Sequence, residues 1–176
     1  MIITYQVLNE KHVHKLNEID RSEWINRIYE MQEGQLTEIT AGHECSNWDS
    51  DVLQEIQERF VYEIRHGGMA LGAFDGDTLV GFGVLAHQFR GDQKDQLQID
   101  LMYVSRNYRR QGIGTHIMNE LSDEAKRRGA KALYISSTET ESAVFFYRSQ
   151  GGQLTENVDS ELFTKEPLDI HMTKKL

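Results

Sequence analysis

Apolar residues recur along this chain at two spacings, every second position and every third or fourth, and each change of spacing marks a change of element. Ile2 to Leu8 reads as a first strand, and Glu10 to Ile19, with Val13, Leu16 and Ile19 at three-residue steps, as a short helix. Asp20-Arg-Ser-Glu23 then breaks the pattern. Between Trp24 and Ile39 both spacings coexist: Ile25, Ile28 and Tyr29 suit a helix, while Tyr29, Met31, Leu36 and Ile39 around Glu33-Gly34 suit a hairpin, which is the reading taken. Asn47-Trp-Asp-Ser50 supplies N-cap residues for a helix whose stripe is Val52, Leu53, Ile56, Phe60 and Ile64 and which stops before Gly67-Gly68. Met69 to Phe74, the turn Asp75-Gly76-Asp77 and Thr78 to Ala86 form the clearest hairpin, and Gln88 to Gln96 reads as a polar, mobile loop.

The second half turns on one transition. Leu97, Ile99, Leu101 and Tyr103 alternate with Gln98, Asp100 and Met102 as in a strand, whereas Ile113, Ile117, Met118, Leu121 and Ala125 follow at helical spacing from about Gly112. The helix ends in Lys126-Arg127-Arg128-Gly129, where basic side chains complement the dipole, and a strand from Lys131 to Ser137 follows at once. Strand, helix and strand make a βαβ unit, so the two strands are expected to be parallel. Thr138 to Gly151 reads as a capped helix with Ala143, Phe146 and Tyr147 on one face, and Gly152 to Val158 and Leu168 to Thr173 close the sheet. At the turn near Gly112 the first N–H groups of the helix lack intrahelical partners and the macrodipole adds roughly half a positive charge, so a phosphate is well placed there.

Arg109-x-x-Gly112-x-Gly114 resembles the acyl-CoA pyrophosphate-binding motif of the GNAT superfamily of N-acetyltransferases. A Rossmann dinucleotide site fits less well, because Ile117 stands where its third small residue belongs and Ser136, Ser137 and Thr138 where its acidic residue would end the next strand. Ala143-x-x-x-Tyr147-x-x-x-Gly151 is similar to a second segment of the family, with two departures. Thr140 replaces an asparagine that contacts the pantetheine arm, and Gly152 replaces a phenylalanine, which is expected to loosen local packing. The order of elements follows the family along almost the whole chain. The resemblance implies one domain over residues 1–176 with the α/β GNAT fold, a mixed central sheet with splayed strands flanked by helices.

It further implies transfer of an acetyl group from acetyl-CoA directly to a primary amine of a small molecule. An acceptor amine on a protein and a non-catalytic acyl-CoA-binding module are the alternatives. Cofactor contacts are expected from the loop and helix start, Arg109, Arg110, Gln111, Gly112, Ile113, Gly114 and Thr115, with both glycines making room for the diphosphate. The strand residues Met102, Tyr103 and Val104 are expected to meet the pantetheine as an added strand would. Tyr147 is implied as the acid that protonates the departing thiolate, a phenol of pKa about 10 facing a thiol of about 8.5. An alkylammonium of pKa about 10.4 must lose a proton before it can attack. Asp100 is the best-placed carboxylate for that task, with Glu139, Glu141 and His87 as rivals. Asp20, Glu23, Trp24 and Tyr29 lie where the family builds its acceptor cleft; carboxylates and aromatic rings both suit an amine.

Composition narrows the partners. A net charge of −9 argues against a phosphate backbone, and no run approaches the roughly 20 apolar residues of a membrane helix, so neither nucleic acid nor membrane is expected. Cys45 is the sole cysteine, which excludes an intrachain disulfide and points to a reducing, cytoplasmic setting. His12-x-His14 has no helical metal-ligand spacing, and no metal is expected. The expected partners are thus a small-molecule amine and, for a homodimer, a second copy of the chain.

Overall fold

The computed structural model describes residues 2–176. Its hairpins and its one crossover build a seven-stranded sheet from β1 (Ile3–Leu8), β4 (Met69–Asp75), β5 (Thr78–Arg90), β6 (Gln96–Val104), β7 (Ala132–Ser137), β9 (Ile170–Lys175) and β8 (Gln153–Leu154), in that spatial order. Among the described residues only β6 and β7 pair in parallel, as the βαβ reading requires, so the sheet is mixed. A separate hairpin, β2 (Glu23–Gln32) and β3 (Gln35–Cys45), turns at Glu33 and Gly34, both left-handed, with φ of 50° and 78°. That is the turn chemistry which favours a hairpin over a helix there.

The sheet separates two apolar layers. On one face α2 (Ile113–Arg127) and α3 (Glu141–Ser149) bury Ile117, Met118, Leu121 and Val144 against Leu71, Leu97, Ile99 and Ile135. On the other, α1 (Ser50–Arg65) and a 3₁₀ helix, Glu10–Glu18, bury Phe60, Ile56 and Leu16 against Leu79, Phe82 and Val84. Asp49 caps α1 by accepting from the Val52 N–H at 2.9 Å. No helix of the described residues is long and apolar enough to cross a membrane.

Helix α2 lies close on β5 because Gly83 has no side chain. A Cβ there would stand 2.7 Å from Ile117 Cγ2 and 2.9 Å from Leu121 Cδ1, both fully buried. Gly83→Ala should therefore overpack this contact and lower stability by about 1–3 kcal/mol, read as a fall in denaturation midpoint at unchanged m-value.

Three expectations are corrected. The polar loop expected at Gln88–Gln96 narrows to a turn over 91–95, because β5 runs on to Arg90: Phe89 and Arg90 pair with Leu97 and Gln96, and buried Arg90 donates to Asp159 Oδ1 at 3.2 Å. The closing strand at 152–158 shrinks to two residues and is followed by α4 (Ser160–Lys165), capped by Asp159, which no periodicity announced. Most consequential, Leu97, Ile99, Leu101 and Tyr103 do not share a face. Val84 opposes Leu101 while Leu85 opposes Ile99, so Asp100 is an extra residue, a β-bulge. The slip sends Ile99 to the α2 layer and Leu101 to the α1 layer.

Beside the bulge the sheet splits. Pairing of β6 with β7 ends at Ile99 and Ile135, although β6 stays on β5 up to Val104 and β7 stays on β9 up to Ser137. A wedge opens between them. One edge of Asp100–Val104 is thereby left without a strand.

Candidate active site

From the end of β6 the chain runs through a short 3₁₀ turn, Arg106–Tyr108, into α2. The turn is anchored from several sides: Ser105 N–H donates to the Val80 carbonyl at 2.8 Å, Asp20 N–H donates to Ser105 Oγ at 2.9 Å, and the Tyr108 hydroxyl donates to Asp75 Oδ2 at 2.7 Å. Arg110 and Gly112 are left-handed, with φ of 61° and 84°, and no side chain caps α2. Its first N–H groups thus face outward unsatisfied, and a Cβ on Gly112 would meet only open space. This terminus fits an anionic group on steric and electrostatic grounds alike.

Gly114 answers a different demand from the one expected. A Cβ there would lie 3.0 Å from Phe146 Cε1, so its smallness admits the α3 ring and locks the two motifs together. Gly152, expected to loosen packing, likewise has no room for a side chain: a Cβ would come within 2.8 Å of the Tyr147 carbonyl. Arg109 does not present a free guanidinium either. Its Nε donates to the Val104 carbonyl at 2.9 Å, Nη1 to the Ser22 carbonyl at 2.9 Å and Nη2 to the Asp20 carbonyl at 3.3 Å. Burial lowers its pKa, and its work is to tie β6 to the segment before β2.

A cavity of about 750 Å³ starts at this helix terminus and runs into the wedge. Arg109, Arg110, Gly112, Ile113, Gly114 and Thr115 line its outer part, followed by Met102, Tyr103 and Val104 on the unpaired edge of β6. Asp100, Ser136 and Tyr147 line its inner part, and Glu23, Trp24 and Arg27 of β2 form the opposite wall. Gln111 is not on the wall; its amide donates to the Asn107 carbonyl at 3.4 Å. Asp20 and Tyr29, expected at an acceptor cleft, are not there. Asp20 folds onto its own loop, accepting from Ser22 N–H at 3.0 Å, and Tyr29 is buried in the α2-side core. Of the four acceptor candidates, Glu23 and Trp24 reach the cavity, where Glu23 accepts from Ser142 Oγ at 2.8 Å and the Trp24 ring is half exposed.

The wedge gathers ionisable groups from β6, α1 and α3. Tyr147 lies on its wall with no hydrogen bond to its hydroxyl among the described residues, and burial holds its pKa well above the ordinary phenol value, so it stays protonated. Burial also raises Tyr103. Asp100 is bound by Arg59 of α1, whose Nη2 reaches Asp100 Oδ1 at 2.9 Å and the Asp100 carbonyl at 3.0 Å. The guanidinium thus braces the bulge. His87 faces away, held at 2.7 Å by Glu63 of α1. Glu139 lends its carbonyl to the Tyr29 N–H at 2.7 Å, while Glu141 lines the cavity with Oε2 buried, 3.7 Å from Arg27 Nη1 and without a hydrogen bond among the described residues.

Three residues here escaped the sequence reading: Arg59, Ser136 and Asp169. Ser136 Oγ lies on the cavity wall and donates to Asp169 Oδ2 at 2.7 Å. Burial, with Glu166 and Glu139 nearby, pushes the Asp169 carboxyl up to about 7 against the opposing effects of Ser136 and Arg59. No spacing links positions 136 and 169. Only the pairing of β7 with β9, which sets Ser137 against Ile170, brings them together.

The family model described as Acetyltransferase (GNAT) family matches residues 25–151. A Xenopus tropicalis protein named Probable N-acetyltransferase 14 is 27% identical over 109 residues, 61% of this chain; the chain spans about half, 50%, of that relative's length. Among solved structures, a nourseothricin acetyltransferase superposes with a TM-score of 0.75 at 17% identity, covering 99% of each chain. The PaiA N-acetyltransferase from Thermoplasma acidophilum, in complex with coenzyme A, superposes with a TM-score of 0.66 at 19% identity over the full length of both. At these identities the likenesses establish the fold.

Proposed function

Because the chain belongs to the GNAT acetyltransferase family, whose members draw on acetyl-CoA, we propose that it transfers the acetyl group directly to a primary amine of a small molecule. One observation carries this reading: a single cavity joins the uncapped α2 terminus, the unpaired edge of β6, the Tyr147 hydroxyl and an acceptor wall of Glu23 and Trp24. The N–H groups of the first α2 turn and the open space at Gly112 would receive the diphosphate, with exposed Arg110 beside them. Along Met102–Val104 the pantetheine would pair as a strand, though the Val104 carbonyl is already engaged by Arg109. Tyr147 would give its proton to the thiolate. Asp100, committed to Arg59 and set in the bulge, is better suited to hold the strand than to accept a proton, since protonation would dissolve that ion pair.

The small size of the acceptor is inferred from hairpin β2–β3 standing over the wedge: Tyr29 N–H bonds the Glu139 carbonyl at 2.7 Å, and Ile28 bridges Thr140, which narrows the approach. Carboxylates at Glu23 and Glu141 and the rings of Trp24 and Phe145 on the wall suit a cationic amine. Release of free CoA, followed across aliphatic amines, aminoglycoside-like polyamines and short peptides with free N-termini, tests the reading. Turnover is expected on one or more small amines. Turnover on peptides alone would replace the substrate class, and tight acetyl-CoA binding with no acceptor anywhere would favour a binding module.

A further inference from the structure

The proton on the incoming ammonium needs a destination, and the wedge offers one outside the segments that resemble family motifs. Ser136 is at the end of β7, where β6 has already departed, so its hydroxyl reaches the cavity instead of a strand neighbour. Behind it Asp169, just before β9, takes the hydroxyl proton in a 2.7 Å hydrogen bond to Oδ2 and is half-buried. The groups that act electrostatically on this carboxylate come from every side: Glu139 before α3, Glu166 on its own segment, Arg59 of α1, Tyr103 of β6 and Tyr147 of α3. Arg59, the sole cation in that set, is already paired with Asp100 at 2.9 Å. Asp169 is therefore a carboxylate with a neutral hydroxyl as its hydrogen-bond partner, whereas Asp100 has a guanidinium.

The geometry points to Ser136 and Asp169 as the proton relay of the acetyl transfer, Ser136 touching the amine and Asp169 receiving the proton through it. The inference rests on the functional reading above. In the step, an N–H proton of the ammonium passes to Ser136 Oγ as the Ser136 hydroxyl proton passes to Asp169 Oδ2, leaving a neutral amine and a neutral carboxylic acid. The nitrogen lone pair then forms the N–C bond to the acetyl carbonyl carbon and the C–S bond breaks, its electron pair going to sulfur. Sulfur takes the Tyr147 proton, and the second proton shed by nitrogen restores the phenol. The proton held by Asp169 returns to solvent, so each turn releases one acetamide, one thiol and one proton.

A carboxyl group with a pKa of about 7 is mostly ionised, and so available as a base, only above that pH. The parent kcat/KM should accordingly climb through an inflection near pH 7 toward the limb set by the amine. Asp169→Asn retains an oxygen for Ser136 but cannot accept a proton. It should lose about 10²–10³-fold in kcat/KM at pH 7, regain much of this by pH 9 as free amine accumulates, and lack the inflection. Ser136→Ala should show the same profile and Ser136→Thr, which keeps the hydroxyl, should restore the parent one. Acetyl-CoA affinity should stay within a few-fold in all three.

Thermal melts give a readout independent of turnover. A carboxyl whose pKa is raised on folding contributes stability that is present below its unfolded value, about 3.9, and is lost as pH rises through the folded value. Asp169→Asn should therefore melt increasingly above the parent as pH is raised from 5 to 8. If the parent turns over an amine but Asp169→Asn keeps a parallel pH profile, or if its melting difference is flat with pH, the relay is wrong while the acetyltransferase reading stands. If no amine is acetylated by the parent at all, the functional reading itself fails, and the relay with it.

Discussion

Gly112→Asp should abolish measurable acetyl-CoA binding while leaving the protein folded. The position is suited to this test because a Cβ there points into open space at an uncapped helix terminus, so a new side chain displaces ligand before it displaces protein. Two like charges about 4 Å apart near a protein surface repel by about 4 kcal/mol, close to three decades in affinity, and the lost volume adds to that. The backbone effect is smaller. Gly112 has a φ of 84°, a conformation that aspartate tolerates better than most residues, at about 1–2 kcal/mol. Gly112→Asn, of nearly the same shape and with the same tolerance, separates charge from bulk and should retain one to two decades more affinity than the aspartate. Titration calorimetry beside a melt reads both effects, and a folded aspartate variant with undiminished affinity would remove the diphosphate from this loop. The same substitution at Gly114 is a poorer test, since its side chain would first meet Phe146.

That contrast between two glycines of one motif shows where the sequence was legible. The apolar run 79–86 behind the turn Asp75-Gly76-Asp77 and the helical stripe from Ile113 to Ala125 announced β5 and α2 because each is buried along its length. The bulge at Asp100 could not be seen. Both faces of the sheet are covered by helices, so Leu97, Ile99, Leu101 and Tyr103 stay apolar whichever side they take, and a slip leaves no trace in the pattern. Six-residue α4 is too short to carry a period. At the site, Gly112, Gly114 and Tyr147 stood out through their spacing, whereas Arg109 gave no sign that three backbone carbonyls would claim its guanidinium. Ser136 and Asp169 lie 33 positions apart and meet only through strand pairing. Tyr29 was misplaced for a simpler reason: on a strand successive side chains face opposite ways, and the buried face of β2 took it into the core.

Tyr147→Phe should lower kcat by about 10²–10⁴-fold, or somewhat less because a thiolate is itself a tolerable leaving group. The argument starts from packing. The Tyr147 ring packs on the α2-side core and stands 5.2 Å from the Phe146 ring, edge to face, while its hydroxyl has no partner among the described residues. Replacement by Phe keeps the ring and removes a hydroxyl that makes no hydrogen bond among the described residues, so stability should stay within about 0.5 kcal/mol or rise slightly. The chemistry responds differently. Burial keeps the phenol neutral at any pH at which the enzyme would work, so the proton is always present to be given, and the parent kcat should show no limb assignable to Tyr147 below pH 9. With Phe the proton must come from water, and the loss falls on kcat while acetyl-CoA affinity changes little, because the phenol donates only as sulfur gains charge. Combining Tyr147→Phe with Asp169→Asn adds a further check. If the phenol and the carboxylate move different protons, their losses in kcat/KM at pH 7 should come close to multiplying, and the double variant should keep the alkaline recovery of Asp169→Asn. Unchanged turnover in Tyr147→Phe would leave the tyrosine a packing residue and make water the acid.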